Sequence, residues 1–353
     1  MKLFESTKLG SMKLKNRVVM APLTRSRAIG NVPNDLMATY YSQRAGAGLI
    51  ISEGTSPSVN GLGYARIPGI YSHEQVAGWK KTTNAVHSKG ASIFLQVMHT
   101  GRVSHPANMP KDAKVLAPSA IGISGQMWTD SDGEQSFPVP TAMTEDEIKL
   151  TIEEYVTAAK LAIEAGFDGV ELHAANGYLV DQFLSPLSNK RTDSWGATPE
   201  GRMKFALEIA KQTAARIGAD RVGIRLSPYG VFNDMGAFEG IDDFYVQLAT
   251  EVSKLKLAYI HLVDHSSMGA PTVKPELKKN IRDAFRGSLI LSGGYDASRA
   301  NVDLQENKGD LIAFGRPFIS NPNLVELMKT KGTLKEPDPS KFYTPGPEGY
   351  TDY

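Results

Sequence analysis

The chain has 353 residues, 41% hydrophobic and 22% charged, the composition of a soluble folded protein of one large or two ordinary domains. Lys+Arg 39 against Asp+Glu 38 leaves a formal charge of +1, which argues against an electrostatic nucleic-acid binder. With no cysteine, disulfides, thiolate metal sites, iron–sulfur clusters and cysteine nucleophiles are all excluded.

No segment reaches the roughly 18 apolar residues of a membrane span. Residues 1–8 carry no apolar stretch behind their lysine and so do not read as a secretory signal. A cytoplasmic protein is expected, without a membrane or nucleic acid as partner.

Along the chain, short β-branched runs alternate with longer amphipathic stretches, the pattern of a parallel α/β architecture. The predicted strands are 17–21, 49–53, 92–97 and 169–173, then 221–227, 259–263, 289–293 and 311–315. Most are unbroken apolar runs, as strands buried on both faces should be. The helices between them are 34–44, 73–88, 145–165 and 199–217, then 242–255, 275–285, 297–306 and 322–330. In the third helix, Ile148, Ile152, Tyr155, Ala159, Ala162 and Ile163 recur at three- and four-residue steps. Thr144 with Glu147 forms a capping-box signature ahead of it, and Gly166 stands where a C-cap glycine belongs.

Eight strand–helix units without an internal linker predict a single-domain (β/α)8 TIM barrel over residues 1–353. A doubly wound sheet is the competitor, but no strand is followed by G-x-G-x-x-G or a Walker-type loop; Gly61-Leu62-Gly63-Tyr64-Ala65-Arg66 is the nearest miss. Two segments fall outside the repeat. Residues 98–143, rich in Pro, Gly and Ser, are a long insertion after the third strand and a candidate lid or pocket wall; 331–353 form an ordered C-terminal tail.

Polar residues at the C-terminal ends of barrel strands read as catalytic. The fourth end carries His173, Asn176 and Tyr178 within six residues. A histidine and an amide can both donate to one oxygen, and a phenol can deliver a proton. A turn around a satisfied core histidine is the bland alternative. After the seventh and eighth strands come Ser292-Gly293-Gly294 and Gly315-Arg316. Exposed glycine amides and an arginine suit a phosphate, and these two loops are the usual phosphate site of this fold. Arg225 is a charge inside an apolar strand, while Gln96 and Thr24 point the same way from strands three and one. For these an internal ion pair or loop solvation stands open beside ligand binding. The seven histidines show no metal-ligand spacing, His261 and His265 included, so no metal is expected.

The landmarks 17–25, His173/Asn176/Tyr178, 182–186 with 189–193, and Phe314-Gly315-Arg316 resemble, in order and spacing, the old yellow enzymes, flavin-dependent ene-reductases on a (β/α)8 barrel. The resemblance implies non-covalent FMN, its phosphate held by Ser292, Gly293, Gly294, Gly315 and Arg316. Pro22 and Thr24 would meet the isoalloxazine, with Gly54, Gln96 and Arg225 on its pyrimidine side. It implies hydride transfer from NADPH or NADH to the flavin, with NADPH preferred. Hydride then passes from flavin N5 to an activated alkene (an α,β-unsaturated carbonyl, a nitroalkene or a maleimide) held by His173 and Asn176 and protonated by Tyr178. Met98 and Tyr343 would line the substrate pocket.

Three positions depart from common family patterns. Asn176 replaces a second histidine, Thr24 places the chain in the threonine branch, and Met98 stands where relatives often have tryptophan. The other readings are a different FMN-barrel dehydrogenase, a phosphosugar isomerase, or a flavin-binding protein without turnover. A monomer or homodimer is expected.

Overall fold

The structure, a computed structural model, describes all 353 residues. Eight parallel strands close into a barrel, as the sequence predicts. They are β1 (Val18–Met20), β2 (Leu49–Ile51), β3 (Ser92–Val97), β4 (Gly169–Ala174), β5 (Val222–Leu226), β6 (Tyr259–Val263), β7 (Ser288–Ser292) and β8 (Leu311–Phe314). Around them run α1 (Asp35–Gln43), α2 (His73–His87), α3 (Glu145–Glu164), α4 (Pro199–Ile217), α5 (Ile241–Lys254), α6 (Pro275–Ala284), α7 (Ala297–Gln305) and α8 (Leu324–Thr330). The capping box of α3 is formed: Glu147 N–H donates to Thr144 Oγ1 at 3.2 Å and Thr144 N–H to Glu147 Oε2 at 2.9 Å. No helix is long and apolar enough to cross a membrane.

Strand alternation separates two cores. Val170, Leu172 and Ala174 of β4 pack outward against the helices, while Glu171 and His173 take the inward positions of the same strand. Inside the barrel, Val19, Leu49, Phe94, Tyr259 and Leu311 cluster at the start of the strands. The Tyr259 ring crosses the barrel there because Gly223 leaves it room: a Cβ on Gly223 would lie 2.2 Å from the ring.

Several elements were not predicted. A hairpin of Thr7–Leu9 with Met12–Leu14 drives Leu9 and Leu14 into the inner cluster and plugs that end of the barrel. Short helices form at Leu179–Leu184, behind the fourth strand, and at Pro317–Ser320, ahead of α8. Within the insertion, Leu116–Ala117 pairs with Thr141–Ala142, and Gln126–Thr129 forms a hairpin with Gly133–Ser136.

The C-terminal tail is fastened by buried arginines. Arg25 and Arg27 are each 1% exposed. Arg25 donates to the carbonyls of Phe342 and Gly349, and Arg27 to those of Lys341, Phe342, Gly346 and Glu348. Tyr350 stacks on Tyr40 with ring centroids 4.0 Å apart, and Arg44 covers the Tyr40 ring at 3.7 Å.

Candidate active site

The turn after β4 is held almost entirely through its backbone. Asn176 adopts a left-handed conformation (φ +60°), which asparagine tolerates better than most residues, and Gly177 follows at +76°. Asn176 N–H donates to Ser227 Oγ at 2.9 Å, its carbonyl accepts from Asn233 Nδ2 at 2.7 Å, and Gly177 N–H donates to Asp181 Oδ2 at 2.8 Å. These bonds leave the Asn176 side chain free, with Oδ1 buried and unpartnered. Nδ1 of His173 is likewise buried without a partner. Burial, reinforced by the charge of Arg225, holds the His173 imidazolium form well below its ordinary range, so at neutral pH the ring is uncharged. A neutral imidazole and an amide, side by side with spare hydrogen-bonding capacity, can hold a carbonyl or nitro oxygen.

The Tyr178 ring packs edge-on against His173 at 4.9 Å. Burial raises its phenol pKa, so it carries its proton at neutral pH. Its hydroxyl lies 3.1 Å from that of Tyr64. Met98 is 1% exposed in a small apolar cluster against which Tyr64 and Tyr178 pack. Tyr343 is 59% exposed, and its carbonyl accepts from Arg66 Nη2 at 2.8 Å. Arg66 also pairs with Asp130 at the turn of the insertion hairpin. The 61–67 loop, the insertion and the tail therefore meet at one rim.

Below this turn lies a polar floor. In register, His173 opposes Arg225, Arg225 opposes His261, and Glu171 opposes Gln96. Gln96 Nε2 donates to Glu171 Oε1 at 2.8 Å, and His261 Nδ1 lies 2.8 Å from Glu171 Oε2. Arg225 is 7% exposed, and its Nε has no acceptor. The internal ion pair considered for Arg225 is not formed, since Glu171 is bonded by its other two neighbours. A buried guanidinium without an acceptor is costly, and it fits an electron-rich ligand edge.

Pro22 is buried and Thr24 half-buried in the loop after β1. That loop is tied to the end of β2, where Arg25 N–H donates to Glu53 Oε2 at 3.3 Å. Gly54, next in sequence, faces Met98: a Cβ there would lie 2.5 Å from the sulfur.

Beyond β7 and β8 the amides of Gly293, Gly294, Gly315 and Arg316 donate to no acceptor of the chain, and Ser292 ends β7 half-buried beside them. Gly293 has φ +138°, and a Cβ on it would meet the Asp264 carbonyl oxygen at 2.2 Å; Gly294 has φ +59°. The exposed Arg316 adds a charge to these free amides, a donor set suited to a phosphate. FMN fits both ends of this arrangement, phosphate at the amides and pyrimidine edge at the floor.

Sequence reasoning missed Tyr64, Asp181, Glu171 and His261 as parts of the site. Tyr64 lies in the 61–66 segment, which was weighed only as a dinucleotide fingerprint. Glu171 stands two residues before His173, and strand alternation alone puts both on the inward face.

A (β/α)8 barrel with free backbone amides past its last two strands and an unpaired arginine on its floor fits a barrel flavoprotein oxidoreductase. The chain belongs to the NADH:flavin oxidoreductase / NADH oxidase family, whose family model matches residues 2–335. It is 39% identical over 350 residues to a probable flavin mononucleotide-dependent alkene reductase of Leishmania infantum, covering 98% of this chain and 95% of that protein. Morphinone reductase in complex with tetrahydroNAD superposes with a TM-score of 0.95 at 43% identity, covering 99% of this chain and 96% of the other. The old yellow enzyme homologue from Zymomonas mobilis gives 0.96 at 38% identity, covering 100% and 99%.

Proposed function

We propose that the chain is an FMN-dependent reductase of the C=C bond in activated alkenes: α,β-unsaturated carbonyls, nitroalkenes and maleimides. A nicotinamide, NADPH or NADH, is the hydride donor. The observation that carries this reading is the pairing of His173 and Asn176, whose ring nitrogens and Nδ2 amide make no hydrogen bond within the chain and are free to donate to one oxygen, beside a protonated Tyr178. FMN, when bound, supplies hydride transfer from the nicotinamide to the alkene β-carbon.

The remaining chemistry belongs to the chain. Ser292, Gly293, Gly294, Gly315 and Arg316 would hold the phosphate, while Pro22, Thr24, Gly54, Gln96 and Arg225 would hold the ring. His173 and Asn176 would bind the activating oxygen and stabilise the negative charge that grows on it. Tyr178 would give its phenolic proton to the α-carbon. Met98 and Tyr343 would bound the alkene.

The test is the visible spectrum of the purified protein, followed by stopped-flow separation of the two half-reactions. A yellow protein that oxidises NAD(P)H and is reoxidised by an enone supports the proposal. A colourless protein that takes up no added FMN overturns it.

A further inference from the structure

Glu171 is the one carboxylate on the barrel floor, and no step above uses it. It is fully buried, two residues before His173 on β4, and His173 is in turn the register partner of Arg225. An ionised carboxylate only accepts hydrogen bonds. Burial alone would push its pKa up, but His261, Arg225 and Gln96 together hold it below the ordinary carboxylate range. Burial pulls the His261 pKa down while Glu171 pulls it up, and the two side chains meet at 2.8 Å. The Glu171 carboxyl therefore stands on the same floor as the Arg225 guanidinium, bonded to Gln96 and His261 and not to Arg225.

The geometry has a consequence for Gln96. A glutamine amide can present either end to a ligand, and only its partners decide which. Here the nitrogen is committed to Glu171 Oε1 at 2.8 Å, and no donor of the chain reaches the amide oxygen. An acceptor, Gln96 Oε1, thus stands two strands from the free donors of Arg225. A flavin pyrimidine edge is complementary to that pair, with a donor at N3–H flanked by acceptors at its carbonyls and N1.

We infer that Glu171 is a positioning residue for the flavin: it locks the Gln96 amide with its oxygen toward N3–H and partly offsets the charge that Arg225 presents to the pyrimidine. This rests on the FMN reading above. A purely structural Glu171–His261 pair would leave the electronic properties of the cofactor untouched when made neutral at constant shape.

The experiment uses the FMN-loaded wild type and Glu171→Gln, comparing the two-electron midpoint potential by dye equilibration and FMN affinity by fluorescence. Removal of the negative charge leaves Arg225 less compensated and favours the reduced, anionic cofactor. The expected shift is positive and at least tenfold in the reduction equilibrium, about 30 mV for two electrons. A neutral partner also lets the Gln96 amide turn over, and FMN affinity should fall about tenfold. A Glu171→Gln protein that binds FMN with unchanged potential and affinity overturns the inference.

If the variant does not fold, the wild type loaded with ¹⁵N-labelled FMN gives the answer. The N3–H proton should be hydrogen-bonded and slow to exchange, and exchange as fast as in free FMN overturns the inference. Failure of the wild type to take up FMN is a separate result, seen before any variant is made, and overturns the functional reading itself.

Discussion

The hydroxyl of Tyr64 lies 3.1 Å from that of Tyr178, with the two rings edge to face at 6.2 Å. Tyr64 is thus the hydrogen-bond partner of the proposed proton donor, and its own pKa is raised far above the ordinary phenol value by burial. Tyr178→Phe should leave reduction of the flavin by NAD(P)H nearly intact and slow alkene reduction by about 10²–10⁴. Tyr64→Phe should slow the same half-reaction by only about 2–10-fold, the worth of one neutral hydrogen bond. Stopped-flow traces of each half separate the cases, and equal losses in both halves would count against the proton-donor role.

The amide cradle makes a prediction about cofactor retention. Gly293→Ala places a Cβ against the Asp264 carbonyl in a backbone region that alanine avoids, so the variant should purify with little FMN. Arg316→Ala removes an exposed side chain that makes no bond within the chain. It should leave the melting temperature of the FMN-free protein unchanged while weakening FMN binding by about 10–100-fold, the loss of one charge-assisted contact. Equilibrium titration with FMN checks both.

Asp181, whose carboxyl accepts the Gly177 N–H inside the turn after β4, is pushed up to about 7 by burial, against the pull of that N–H and of Arg102. In the unfolded chain an aspartate ionises near about 3.9. Between those values the folded state holds a proton that the unfolded state has lost, so stability falls as pH rises from about 4 to about 7 and levels off above. Asp181→Asn keeps an acceptor for Gly177 and removes the titration. The variant should gain on the wild type across that window by roughly 1–4 kcal/mol, read from urea midpoints at pH 4.5 and 8. Glu53, also pushed up to about 7 by burial, leaves part of the slope in place.

Arg27 is the main fastening of the tail, with bonds to four tail carbonyls and to Thr344 Oγ1. Arg27→Ala strands those carbonyls and should destabilise the protein by about 2–4 kcal/mol. Arg27→Lys should recover only part of this, because one ammonium cannot reproduce a planar fork of donors. Thermal melts and protease sensitivity of residues 341–353 provide the measurement.

The barrel was legible because its strands are buried on both faces and therefore read as apolar runs, and because α3 carries its own start signal in Thr144 and Glu147. The free amides beyond β7 and β8 lie where two glycine-bearing loops at the last two strand ends had pointed. The His173, Asn176 and Tyr178 trio was legible because all three sit at one strand exit. What stayed hidden depends on contacts far apart in the chain. Arg25 and Arg27 find their acceptors more than 300 residues away on main-chain carbonyls, which leave no pattern in side-chain types. The N-terminal hairpin has strands of three residues, too short for an alternation to show. Tyr64 meets Tyr178 only through the fold, 114 positions along the chain. That Arg225 forms no internal ion pair was equally hidden, because Glu171 is occupied by Gln96 and His261 from two other strands.

The hairpin that drives Leu9 and Leu14 against Phe94, Tyr259 and Leu311 seals the base of a barrel already filled there by its own strand side chains. Everything that reaches the floor must come and go by the one rim shared by the 61–67 loop, the insertion and the tail. On the proposed function, nicotinamide and alkene would share that one entrance, and either in large excess should obstruct the other.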